Sequence, residues 1–159
     1  MQETAKELGA ILLKASPLLA LIEEEDASVK SLPDKWSKKE ILGHLIDSAC
    51  NNQQKFVRTM EEKHVNFVGY QQNHWVDSQK YNTRIWQELL VFWTLYNLHL
   101  VHIIENVDSE ALTHEITIEN AGTFTLEFIM KDYVEHLKHH LKQILPDNEY
   151  LKSNFKNVY

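Results

Sequence analysis

A single cysteine, Cys50, stands in 159 residues, so the chain can close no internal disulfide and can build no zinc–thiolate cluster. Cys50 reads as a small buried helix residue without a catalytic partner. Glycine and proline are almost as scarce, at four and three, which leaves few obligate turns and favours long helices over a many-stranded sheet. Basic residues are outnumbered: 16 Lys and Arg against 23 Asp and Glu give a formal charge of −7. No basic stripe with interleaved aromatics is present, and a nucleic-acid partner is excluded. Long hydrophobic runs are missing too. The most apolar segment, Leu89 to Ile104, is interrupted by Asn97, His99 and His102, and it is shorter than the roughly 20 residues a membrane span needs. It reads as a buried helix, and no membrane partner is expected. Met1-Gln2-Glu3-Thr4 has neither the basic nor the apolar region of a signal peptide, so the expected location is the cytoplasm.

With 43% hydrophobic and 25% charged residues the chain can bury a core, and residues 1–159 are expected to form a single domain. Leu8, Ile11, Leu12, Leu18, Leu19 and Ile22 make the apolar stripe of a first helix from about Glu3 to Glu24. Ser16-Pro17 is an N-cap followed by proline, which predicts a break and restart there. A polar linker, Asp26 to Lys35, leads to Trp36 and then to Ser37-Lys38-Lys39-Glu40, a capping box that opens a second helix reaching about Glu62. Asn66 to Asn82 reads as a long irregular crossover carrying Phe67, Tyr70, Trp75 and Tyr81, and such connections are often functional. A third helix follows from about Thr83 to Asn106. His114 to Ile118 alternates, Asn120-Ala121-Gly122 turns and Thr123 to Thr125 returns, a small β-hairpin. Thr125 can cap a fourth helix that stops before Pro146. The fold class is all-α, four helices with a small β-hairpin before the last.

Nine histidines are many for this length, but their spacing says more than their number. His136 and His140 lie four apart on one helical face, where two imidazoles can reach one metal ion. His139 is three from His136 and competes with them. Alone, the pair is a weak signal, since surface histidines at this spacing are common. On the second helix His44, Ser48, Asn51 and Lys55 form a polar stripe beside the core arc of Ile41, Leu42, Leu45, Ile46, Ala49 and Phe56. Such a stripe marks either a solvent boundary or the wall of a polar cavity. Asp47 is placed to orient an imidazole, and Gln143, on the His136/His140 side, to bond a ligand or substrate. His99 falls on the apolar side of the third helix with Phe92, Tyr96 and Ile103, and reads as a hydrogen-bonded core residue.

Two segments, taken together, carry a resemblance. Trp36-Ser37-Lys38-Lys39-Glu40-Ile41-Leu42-Gly43-His44-Leu45-Ile46-Asp47-Ser48 is similar to the helix-two signature of DinB-like proteins. Thr125-Leu126-Glu127-Phe128, followed by His136-x-x-x-His140-x-x-Gln143-Ile144, is similar to their last helix, and Tyr70 to Trp75 resembles their aromatic segment. The resemblance implies a four-helix bundle with a long crossover, usually a homodimer, holding one divalent metal ion at one end. It maps the ligands onto His44, His136 and His140 and leaves His139 outside. Gln71 stands where many relatives carry an acid, so the Tyr70 segment offers no catalytic carboxylate there.

Three neutral imidazoles leave a divalent metal with open positions, nickel or zinc first among the ions that histidine suits, with copper and iron, whereas structural zinc sites are usually closed by four ligands. Characterised relatives include thiol-dependent S-transferases and a thiol-using maleylpyruvate isomerase. The expectation is a metal-dependent transferase that passes a low-molecular-weight thiol to an electrophilic small molecule. A hydrolase of a small ester or amide is the alternative, with Asp47, Glu40 and Glu135 as candidate acids or bases; a non-catalytic metal-binding stress protein is the third. Protons compete for each imidazole, so metal-dependent stability is expected above about pH 6.5 and fades below it. Leu90, Leu98 and Val101, read as pointing away from the core on the third helix, are the expected dimer surface.

Overall fold

The computed structural model describes residues 1–156. Helix α1, Gln2–Leu19, buries Leu8, Ile11, Leu12, Ala15 and Leu19 on one face. Pro17 does not break it. The carbonyl that a residue 17 N–H would have used belongs to Leu13, which is 79% exposed, and only one helical bond is lost so near the end. The helix ends at Leu19 rather than Glu24, and a short helix α2, Glu24–Ser28, follows. Helix α3, Lys38–Glu61, opens on the expected capping box. Glu40 N–H donates to Ser37 Oγ at 3.2 Å and Ser37 N–H donates to Glu40 Oε2 at 2.7 Å.

The stretch expected to be irregular contains a strand β1, His64–Phe67, a helix α4, Gln72–Gln79, and a 3₁₀ turn, Tyr81–Thr83. Neither element has a sequence pattern of its own: α4 buries only Val76, and β1 is held by a distant partner. Helix α5 spans Trp86–Glu105. The hairpin forms as expected from β2, Glu115–Ile118, and β3, Gly122–Thr125, around Asn120 with φ of 63°. Strand β1 joins β2 in parallel, so the sheet has three strands in the order β1-β2-β3. Helix α6, Leu126–Ile144, is capped by Thr125, whose Oγ1 accepts from Phe128 N–H at 3.2 Å.

The four long helices form the bundle. Helix α1 packs on α5 and α6, and so does α3, which sets α1 diagonally across from α3. The chain crosses the bundle between α1 and α3, and again through the sheet between α5 and α6. The Asn66 to Asn82 stretch joins α3 to its neighbour α5. Helices α3 and α6 run antiparallel: His44 meets His136 and His140, while Phe56, later in α3, meets Tyr133, which precedes both histidines in α6. No helix among the described residues is long and apolar enough to cross a membrane.

The buried face of α5 is Trp86, Leu89, Leu90, Trp93, Asn97, Leu100 and Ile104, rotated from the expected one. Leu90 therefore belongs to the core and Val101 packs against it, whereas Leu98 is exposed. His99 is on the surface, 3.2 Å from the Gln53 amide, not in the core. Apolar residues on every side of this helix hid its true face, because Asn97 fills a buried position, its Oδ1 accepting from the Tyr133 hydroxyl at 2.6 Å.

Candidate metal centre

The first turns of α3 and the last turns of α6 bring His44, His136 and His140 together, and one nitrogen from each lies within 4.8 Å of the others. His44 is wholly buried, and its Nε2 stands 3.2 Å from Nε2 of His136. Three imidazole nitrogens around one ion, with bonds of about 2.0–2.1 Å, would be separated by roughly this distance. His139 is exposed and stays outside the cluster, although it lines the adjoining cavity.

Burial is the main influence on all three. It holds His44 down to about 3, with His140 adding to the shift. His140 is lowered to about 4, by burial and then by His139, with Gln143 opposing. His136 lies well below the ordinary histidine value through burial and its neighbours His140 and His44. The imidazoles are neutral at pH 7, which leaves their lone pairs available for coordination. Buried Nδ1 atoms of His44 and His140 have no hydrogen-bond partner among the described residues. A cluster of neutral rings whose nitrogens converge within 4.8 Å of one another fits a Lewis acid better than it fits a packed core.

Trp36 walls the site on one side, its ring 5.0 Å from His44 and 6.5 Å from His140. Phe155 covers another, 5.1 Å from His136 in an edge-on contact. No sequence pattern marks Phe155, which arrives through a C-terminal segment whose Asn154 N–H donates to Glu135 Oε2 at 2.6 Å. Beside the histidines opens a cavity of about 370 Å³, reached by Ser48, Asn51, Lys55, Tyr70, Tyr133 and His136. The polar stripe on α3 is thus a cavity wall and not a solvent boundary.

The remaining candidates divide. Ser48 Oγ lies 3.3 Å from Nδ1 of His136 and fixes that ring. Asn51 lines the cavity while its amide donates to the Asp47 carbonyl at 2.9 Å. Gln143 faces a different surface hollow beside Trp36 and donates to Nε2 of His139 at 3.3 Å. Asp47 touches no histidine of the cluster. Its Oδ1 accepts from Tyr81 at 2.6 Å and Gln79 at 2.7 Å, because α3 turns the residue away from His44 and toward the α4 segment. Burial raises its carboxyl, and those two bonds oppose the shift. Glu40 is tied into the cap and to Lys30 at 2.9 Å, and Glu135 to Lys138. Cys50 is half-buried rather than buried, and the Tyr96 hydroxyl near it donates to Gln53 Oε1 at 2.5 Å.

A four-helix bundle with a sheet-borne crossover and a three-histidine cluster at one end defines a class of metal-site bundle. The chain belongs to the DinB superfamily, whose sequence profile matches residues 14–144. Among solved structures it is similar to YfiT from Bacillus subtilis, described as "a probable metal-dependent hydrolase with an unusual four-helix bundle topology". The TM-score is 0.82 at 16% identity, over 91% of this chain and 83% of that one. It is also similar to a mycothiol-dependent maleylpyruvate isomerase, with a TM-score of 0.65 at 12% identity, over 99% of this chain and 63% of that one. This chain therefore spans less than two thirds of the isomerase. No curated protein sequence matches.

Proposed function

We propose that His44, His136 and His140 hold one divalent metal ion, and that the protein transfers a low-molecular-weight thiol to an electrophilic small molecule. The observation that carries the reading is the meeting of three neutral imidazoles, His44 buried and His136 and His140 half-buried, at the edge of a cavity of about 370 Å³. A divalent ion bound there would lower the pKa of a coordinated thiol or water and polarise an electrophile. The chain supplies the rest: Ser48 orients His136, while Trp36 and Phe155 exclude water from the ligand nitrogens.

Of the three carboxylates weighed as acids or bases, none lines the cavity, and each is engaged elsewhere. Hydrolysis also needs an acid to protonate the departing alkoxide or amine, and none of the three is placed to serve, which favours thiol transfer. Ester or amide hydrolysis is the second reading, supported by the likeness to the Bacillus subtilis protein. Cobalt substitution followed by titration with several small thiols tests the choice. New sulfur-to-cobalt charge-transfer bands are expected, and unchanged spectra alongside turnover of small esters would replace the transferase with the hydrolase.

A further inference from the structure

The chain returns to the histidine cluster after its last long helix is complete. Leu151, wholly buried, closes a 3₁₀ turn, Glu149–Leu151, that packs against α6. Residues 152–156 then run beside α6 without helix or strand. They carry Phe155 to the site, its ring 5.1 Å from that of His136 and 5.4 Å from that of His139. There the half-buried phenyl covers His136 and forms part of the cavity wall.

One residue of α6 holds this segment. Ser153 Oγ donates to the Glu135 carbonyl at 2.8 Å, and Asn154 N–H donates to Glu135 Oε2 at 2.6 Å. The Ser153 hydroxyl in turn accepts from Phe155 N–H at 2.9 Å. Residues 153–156 make no backbone-to-backbone hydrogen bond among the described residues, so no ladder ties them to the bundle. The other half of the latch is braced. Lys138 pairs with Glu135 and, at 2.8 Å, with Glu7 of α1, which keeps the carboxylate in place when the segment leaves it. A few side-chain hydrogen bonds and one half-buried ring are all that detachment must break, far less than unfolding the bundle.

We propose that residues 152–156 are a strap that opens and closes over His136 independently of the bundle, with Glu135 as its latch, and that its opening governs how fast a cation or a small reagent reaches that imidazole. Seated, the strap shields His136 with the Phe155 ring; detached, it takes away one wall of the cavity and admits water to the cluster. The consequence for metal exchange rests on the reading of His44, His136 and His140 as ligands, whereas the motion itself rests only on the contacts of the segment.

Histidine modification by diethylpyrocarbonate, located by peptide mass spectrometry, tests the strap on the metal-free protein. Phe155→Ala should speed modification of His136 about tenfold and Ser153→Ala about fivefold, while the exposed His74 and His102 react as in the wild type. In the wild type the rate at His136 should stay constant across low urea concentrations, because detaching a strap exposes little surface. Equal rates in the wild type and both variants, or a rate that climbs with urea as steeply as global unfolding, overturns the proposal. Zinc-loaded protein separates it from the metal reading: release of zinc to a chromophoric chelator should quicken by the same factors. Faster modification in a protein that takes up no zinc sustains the strap and removes the metal centre. Zinc uptake with release unaltered in both variants removes the strap and leaves the metal centre standing.

Discussion

Gly43 makes room for Tyr81: a Cβ at position 43 would stand 2.2 Å from two atoms of the Tyr81 ring. The missing side chain lets the ring press against α3 one turn before Asp47, which accepts the Tyr81 hydroxyl at 2.6 Å. Gly43→Ala should force the ring and the 3₁₀ turn outward and cost about 1–3 kcal/mol, the usual range for overpacking. Chemical denaturation checks this. A stability unchanged from wild type would mean that the turn yields freely.

The proposed metal site spans two helices, so it exists only when α3 and α6 are docked. Metal at a thousandfold excess over its Kd should stabilise the fold by about 4 kcal/mol, and chelation should lower the melting temperature accordingly. His44→Ala, His136→Ala and His140→Ala should each abolish the increment, and His139→Ala should keep it. Differential scanning calorimetry with and without chelator decides; full retention in His44→Ala would sink the ligand assignment.

Acid should destabilise the metal-free protein. Burial holds His44 at about 3, whereas the unfolded chain keeps it near 6.5. Between those values the unfolded state binds more protons, so stability is full above the unfolded value and falls as pH drops. At pH 5 His44 alone accounts for about 2 kcal/mol of loss. The same burial shifts the window for metal. Protons compete at the folded-state values, about 3 for His44 and about 4 for His140, so the metal-dependent increment should persist at pH 5 and not fade at 6.5. Denaturant midpoints from pH 7.5 to 4.5, with and without metal, measure both effects.

Helix α5 presents Val91, Phe92, Leu95 and Leu98 to solvent, 57%, 53%, 61% and 48% exposed, at helical spacing along one stripe. We propose this stripe, in place of Leu90, Leu98 and Val101, as the face of a homodimer. Light scattering at micromolar concentration should give twice the monomer mass, and Leu95→Glu should halve it while leaving the helical circular dichroism intact. A monomeric wild type would dismiss the dimer.

The sequence by itself determined the elements whose signals are local. Ser37 and Glu40 opened α3, Thr125 opened α6 and Asn120-Ala121-Gly122 turned the hairpin, because caps and turns are made by residues a few positions apart. The His136/His140 pair was legible for the same reason, and the signature around His44 pointed to the third imidazole through resemblance. What no window of sequence held was decided by tertiary structure. Strand β1 exists because β2, some fifty residues on, pairs with it in parallel. Asp47 serves Tyr81 and not a histidine because helical rotation, set by core packing, aims it there. Asn97 turns α5 because Tyr133 supplies the hydrogen bond that lets an amide be buried. The histidines became neutral ligand candidates only when two helices, ninety residues apart in the chain, excluded water from between them.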